Sequence, residues 1–257
     1  ALHPAYTARM TATLANISKG RVGLNIVTGW NKKEYSSMDL WPGQEHYQNR
    51  YEFASEYVSI LKELWETGAC DRKSKYWNLE ECSCLPTPKY DIPIISAGQS
   101  PAGMDFCSKY ADQRFMFGHP PVLKNLEETK NENLNYGSFI YLHIITANTD
   151  DEAKNIGEDI IKKADKEAIE TMISSSMLDT NKGGGSEAMQ AALSQSLEEG
   201  NMAFTSAPVI YGTPKTVASK LNTIADKTDC DGFMFSWNDY ASGIKIFGEE
   251  IRPHLNN

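Results

Sequence analysis

The sequence contains no run of eighteen or more apolar residues, so nothing in it reads as a transmembrane helix. It has no CxxC pair. The five cysteines, Cys70, Cys82, Cys84, Cys107 and Cys230, are too few and too scattered for the disulfide framework of a small secreted domain. The single CxC, Cys82-Ser83-Cys84, has no neighbouring His or Cys to complete a ligand set, so no metal is expected. Positive charge is in deficit. Lys and Arg number 25 against 34 Asp and Glu, and the net charge of -9 repels phosphate backbones and anionic lipid. Nucleic acid and membrane surfaces are therefore not expected as partners. Ala1-Leu2-His3-Pro4 carries no basic stretch leading into an apolar one, so no signal peptide is read there and a reduced, cytoplasmic setting is expected.

What is present is ordinary globular composition, 40% hydrophobic with 18 Gly and 11 Pro. Residues 5–18 carry apolar side chains at helical spacing, and Arg21–Thr28 reads as a strand closed by Gly29. Loop material with Trp41-Pro42-Gly43 follows. An amphipathic helix then runs from about Tyr51 to Trp65, with Phe53, Tyr57, Ile60, Leu61 and Leu64 on one stripe. Residues 70–90 read as an excursion with a short extended piece at Tyr76-Trp77. Ile92–Gly98 is a near-continuous apolar run, as in a parallel strand covered on both faces. Further strands are expected near 114–118, 139–145 and 232–237, with helices after Ser100, over 151–179 and 187–200, and after Thr213-Pro214. The stretch around Gly183-Gly184-Gly185, about 182–205, reads as a mobile loop.

Alternating apolar strands and helices argue a parallel α/β sheet with right-handed crossovers. A closed (β/α)₈ barrel needs eight strands, and five are counted. The chain also opens inside a helix; three further units of roughly 30 residues would complete a barrel. The expectation is one domain over 1–257 built from the C-terminal five βα units of a TIM barrel. An open doubly wound sheet is the alternative, without a GxGxxG after its first strand.

Four places could carry chemistry. In the strand RVGLNIVT, Asn25 shares a face with Gly23 and Val27, opposite the face that meets the helices, so it is expected to point into the barrel interior. A buried amide must be paired. Either it bonds a neighbouring strand, or it meets the carbonyl and N–H edge of a heteroaromatic ligand. In ISAGQSPAG a strand gives way to a helix capped by Ser100 with Pro101 at its first position, a corner suited to phosphate, though many helices start this way without a ligand. Arg50, at the head of the amphipathic helix, opposes the helix dipole unless an anion lies near; a surface ion pair with Glu45 or Glu52 is the plainer reading. His143, in FIYLHII, shares a face with Phe139 and Tyr141. It is either a hydrogen-bonded interior residue or a general acid or donor to substrate.

GRVGLNIVTGWNKKEY, LWPGQEHYQNRYEFASEYVSILKELW, ISAGQSPAGMDFCSKYAD and GFMFSWNDYASGIKIFGEEIRPHL, in that order, resemble the bacterial-luciferase-like flavin monooxygenases, most nearly those that open the uracil ring. The resemblance covers essentially the whole chain. It implies a (β/α)₈ barrel that binds reduced FMN at the carboxyl ends of its strands. It also implies O₂ as co-substrate, a separate flavin reductase, and a homo-oligomer. By position, the family's flavin contacts fall on Asn25, Glu34, Arg50, Tyr51 and Ser100, with Asn25 toward the isoalloxazine and Ser100 and Arg50-Tyr51 toward the phosphate. Asn25 and His143 are the residues expected to matter for catalysis. Related alkanesulfonate enzymes carry an Arg and a His on the strand matching Phe139–Ile145; here only the His is kept, so a sulfonate or sulfone substrate is the alternative to a pyrimidine. A non-catalytic, truncated barrel subunit is the alternative outside the enzymes.

Overall fold

The computed structural model describes residues 2–29, 32–98, 100–130, 135–176 and 200–256. The chain divides into two compact units, Ala1–Arg114 and the bulk of Phe115–Asn257.

In the first unit, α1 (Pro4–Ser18) leads to the three-residue strand β1 (Leu24–Ile26). Two short helices follow, α2 (Lys32–Ser37) and α3 (Gln44–Gln48), where the sequence had suggested only loop. Neither is long enough to show an apolar stripe. The long helix α4 (Arg50–Thr67) ends on Gly68 at φ 79°, a left-handed C-cap that glycine adopts without a Cβ penalty. The alanine face of α1, Ala8 and Ala12, packs with Ile60, Leu61 and Leu64 of α4 to form the unit's core. An antiparallel hairpin of β2 (Ala69–Lys73) and β3 (Asn78–Ser83) lies beside α4. This corrects the extended piece expected at Tyr76-Trp77, which is the turn between the two strands. The unit continues through β4 (Ile94–Ser96) and α5 (Pro101–Tyr110) into the start of β5 (Gln113–Phe117). β4 pairs in parallel with β1 (Asn25 opposite Ile95) and with β5 (Ser96 opposite Arg114).

The second unit contains α6 (Pro120–Thr129), β6 (Gly137–Thr146), α7 (Asp150–Lys163), α8 (Lys166–Ser176), β7 (Val209–Gly212), α9 (Pro214–Thr228), β8 (Gly232–Ser236) and α10 (Tyr240–Ile246). The ten-residue β6 is central, pairing in parallel with β7 (His143 opposite Val209) and with β8 (His143 opposite Ser236). Ile140, Leu142 and Ile144 of β6 face Leu221 and Val217 of α9 in a fully buried core. The expected cap at Thr213 is present: its hydroxyl accepts from the Thr216 N–H, with Pro214 at the first helical position. The strand β7 adds to the five expected. The helix read over 151–179 breaks at Ala164, whose φ, ψ of -59°, 142° is not helical. The helix expected at 187–200 and the loop expected over 182–205 lie outside the described residues up to 199; Asn201–Phe204 forms a 3-10 turn. Among the described residues no helix is long and apolar enough to cross a membrane.

Candidate functional site

The first unit holds a cavity of about 340 Å³. Its wall is β1, with Asn25 among its residues, together with Arg50, Phe53 and Tyr57 of α4. Tyr35, Trp41 and His46, from the segment between β1 and α4, also line it, as do Leu2 and Thr7. The apolar stripe of α4 is thus shared: Ile60, Leu61 and Leu64 are buried, while Phe53 and Tyr57, one to two turns nearer the N-terminus, face this space.

Asn25 lies opposite the helix-packed face, as the alternation required. It is exposed, however, not buried, and Val27 on the same side is 59% exposed. The expectation of an amide buried in the interior is corrected here. Leu24 and Ile26 pack into the helical cores, while the other side of β1 opens to the cavity.

Arg50 is 6% exposed, so it is not the surface residue that the ion-pair reading assumed. Its guanidinium lies 4.5 Å from the centroid of the Tyr47 ring and 5.5 Å from that of Tyr51. Nη1 donates to the Tyr47 carbonyl at 3.2 Å. Glu52 is engaged elsewhere, accepting from the Tyr76 hydroxyl at 2.8 Å and pairing with Lys75 at 3.3 Å. Two ring faces and a carbonyl offset part of the cost of a buried cation, roughly 0.5–2 kcal/mol per ring when desolvated. The guanidinium stands at the head of α4, where the helix dipole favours negative charge.

Tyr51 and Ser100 both approach Gly103 at the start of α5. The Ser100 hydroxyl oxygen accepts from the Gly103 N–H at 3.1 Å, so the expected cap forms, and Ser100 is buried. The corner is tight. A Cβ on Gly103 would lie 2.6 Å from the Tyr51 hydroxyl, and one on Gly98 would lie 2.6 Å from the Gly103 Cα. Only glycine fits at either place. Glu34 sits exposed in the first turn of α2, off the cavity wall.

These residues suit FMN. Cavity walls rich in aromatic rings match a flat heteroaromatic ring, and the Asn25 carboxamide offers a donor and an acceptor. The glycine-lined corner, with a hydroxyl and the head of a ten-residue helix, suits a phosphate. Sequence reasoning missed His46. Its pKa is lowered by burial and then by the Lys75 charge, and its ring lies 4.6 Å from Phe53 and 5.8 Å from Tyr76. The density of aromatic residues over 41–57 was the signal for this wall.

In the second unit, His143 is buried on β6 with its ring 4.7 Å from Phe204. Its Nδ1 lies 2.8 Å from the Ser236 Oγ and its Nε2 lies 2.8 Å from the Asn238 Oδ1. The Tyr141 hydroxyl donates to the same Ser236 oxygen at 2.9 Å. Burial lowers the His143 pKa, while the Asn238 hydrogen bond opposes that shift.

Residues 1–228 match the family described as Luciferase-like monooxygenase. Pyrimidine monooxygenase RutA of Pseudomonas savastanoi pv. phaseolicola is 38% identical, over 99% of this chain and 71% of its own length. The EDTA monooxygenase EmoA from Chelativorans sp. BNC1 superposes with a TM-score of 0.78 at 19% identity, over 98% of this chain and 70% of that one. Riboflavin lyase RcaE, solved with modified FMN and riboflavin, gives a TM-score of 0.75 at 21% identity, over 98% of this chain and 67% of that one. The fold is accordingly the TIM-barrel-like parallel α/β type of these enzymes.

Proposed function

The chain belongs to the luciferase-like monooxygenase family, and from that premise we propose that it uses reduced FMN and O₂ to oxidise a pyrimidine-type ring, in the manner of uracil ring opening. The class, a flavin-dependent monooxygenase and thus an oxidoreductase, follows from the family. The substrate is our reading. What supports the flavin part is the capped, glycine-lined start of α5 at Ser100–Gly103, a corner suited to an anionic group, with buried Arg50 at the head of α4.

We assign the residues as follows. Asn25 addresses the polar edge of the isoalloxazine from a rigid strand. Arg50, Tyr51 and Ser100 hold the phosphate, and Glu34 borders the site from α2. His143 serves the substrate side. When bound, reduced FMN supplies the two electrons with which O₂ is split, one oxygen atom going to the substrate and one to water. A flavin reductase supplies the reduced cofactor, and the protein self-associates. A sulfonate substrate is less well served, because His143 is held toward its neutral form by burial and both ring nitrogens are engaged.

The experiment is titration of FMN and reduced FMN into the chain, comparing wild type with Arg50→Ala. Saturable binding that weakens in the variant is expected. Equal affinity of the two proteins would remove the phosphate assignment.

A further inference from the structure

We propose that Asn238 is a substrate-binding residue, presenting its carboxamide N–H groups to a ring carbonyl, and that His143 is the positioning residue that aims it. The carbonyl-bearing ring as ligand rests on the reading above; the donor geometry does not.

The hydrogen bonds along this chain have one consistent direction. The Tyr141 hydroxyl donates to the Ser236 oxygen, so the serine proton is free to go to the His143 Nδ1. The imidazole is then the neutral tautomer with its proton on Nε2, and that N–H donates to the Asn238 Oδ1. Burial, which lowers the His143 pKa, favours the same neutral form. The carboxamide oxygen is thereby fixed toward the histidine. Its NH₂, with two donors, points the other way.

Asn238 lies two residues beyond the carboxyl end of β8, just before Asp239, the N-cap of α10, and it is exposed. Ligands of parallel α/β sheets bind at this end of the strands. His143 has no lone pair left: Nδ1 accepts from Ser236, and Nε2 carries the proton given to Asn238. It can take no proton from a substrate without breaking the chain. Two fixed donors facing outward select an acceptor, and a ring carbonyl is the acceptor that a uracil-type ring offers.

Asn238→Asp separates this role from a structural one. The aspartate keeps the acceptor for the Nε2–H and loses both donors. With uracil as the probe, its KM should rise at least tenfold. A KM equal to that of wild type would overturn the proposal. His143→Ala should raise KM by a similar factor, and the double variant should be no worse than Asn238→Asp alone; additive losses would show that His143 acts independently of Asn238.

A readout free of turnover uses the side-chain amide resonances of Asn238 in the ¹⁵N-labelled chain. Uracil should shift them saturably in wild type and not in His143→Ala, whereas their failure to move in wild type would also overturn the inference. If the amide shifts while reduced FMN and O₂ leave uracil intact, Asn238 stands and the monooxygenase reading of the site fails.

Discussion

Removing the Ser100 hydroxyl takes away the acceptor that caps α5 and, on the proposed assignment, a donor for a phosphate oxygen. Ser100→Ala should cost about 1 kcal/mol of stability as a lost cap. It should also cost about 1–2 kcal/mol of FMN affinity as a lost hydrogen bond to a charged group. Thermal denaturation and FMN titration on the same protein separate the two; a lower melting temperature with unchanged affinity would leave Ser100 as a cap alone. Asn25→Ala should cut turnover on every substrate by at least about tenfold, roughly 1.4 kcal/mol, measured as initial rates with reduced FMN regenerated. Unchanged rates would remove Asn25 from the chemistry. Protonation gives a further test. His143 and His46 both have lowered folded pKa values, burial being the first cause in each. The unfolded chain then binds more protons below its histidine pKa of about 6.5. Their contribution to stability is full above that pH and is lost as pH falls through the lowered folded values. Melting temperature should drop between about pH 7 and pH 5, and His143→Gln should flatten that drop; an equal slope in the variant would show that His143 does not titrate on unfolding.

At the scale of elements, the caps were the most legible features. Ser100-Pro101 and Thr213-Pro214 announce α5 and α9 because a hydroxyl acceptor and a missing N–H suit the first turn of any helix. The strand β7 was not legible. Its four residues follow Pro208 directly and end at Gly212, too short a run for a period of two to show. The hairpin was hidden by its charges: Asp71, Arg72 and Lys73 lie on one strand and Glu80 and Glu81 on the other, and of the eleven strand residues only Cys70 and Leu79 are buried. For Asn25, the alternation gave the correct face of β1, but burial of that face depends on what covers it, which the strand's own residues do not encode. The chain from Tyr141 to Asn238 was half legible: alternation put Tyr141 and His143 on one face, whereas Ser236 and Asn238 reach them only through the register of β6 with β8. The Gly98–Gly103 approach makes an element-scale prediction. Gly98→Ala brings a Cβ to 2.6 Å from backbone, where no flexible side chain can yield. It should destabilise the chain by about 1–3 kcal/mol in denaturant titration, the usual range for overpacking. A loss below that range would mean the corner has slack.

For the whole molecule, the residues assigned to the flavin fall in the first unit, and those assigned to the substrate fall in the second. The family match runs from residue 1 to 228 and so spans both. A net charge of -9 gives no general attraction for a phosphate-bearing cofactor, so the proposed FMN site has to rely on local groups, for which Arg50 and the α5 corner are the candidates. The most direct measurement is uracil consumption by the chain in air, with FMN kept reduced by a flavin reductase and the absorbance of the pyrimidine ring followed in time. Loss of that absorbance is expected, dependent on reduced FMN and on O₂ together and diminished in Asn25→Ala. Uracil left intact by a chain that binds reduced FMN saturably would contradict it.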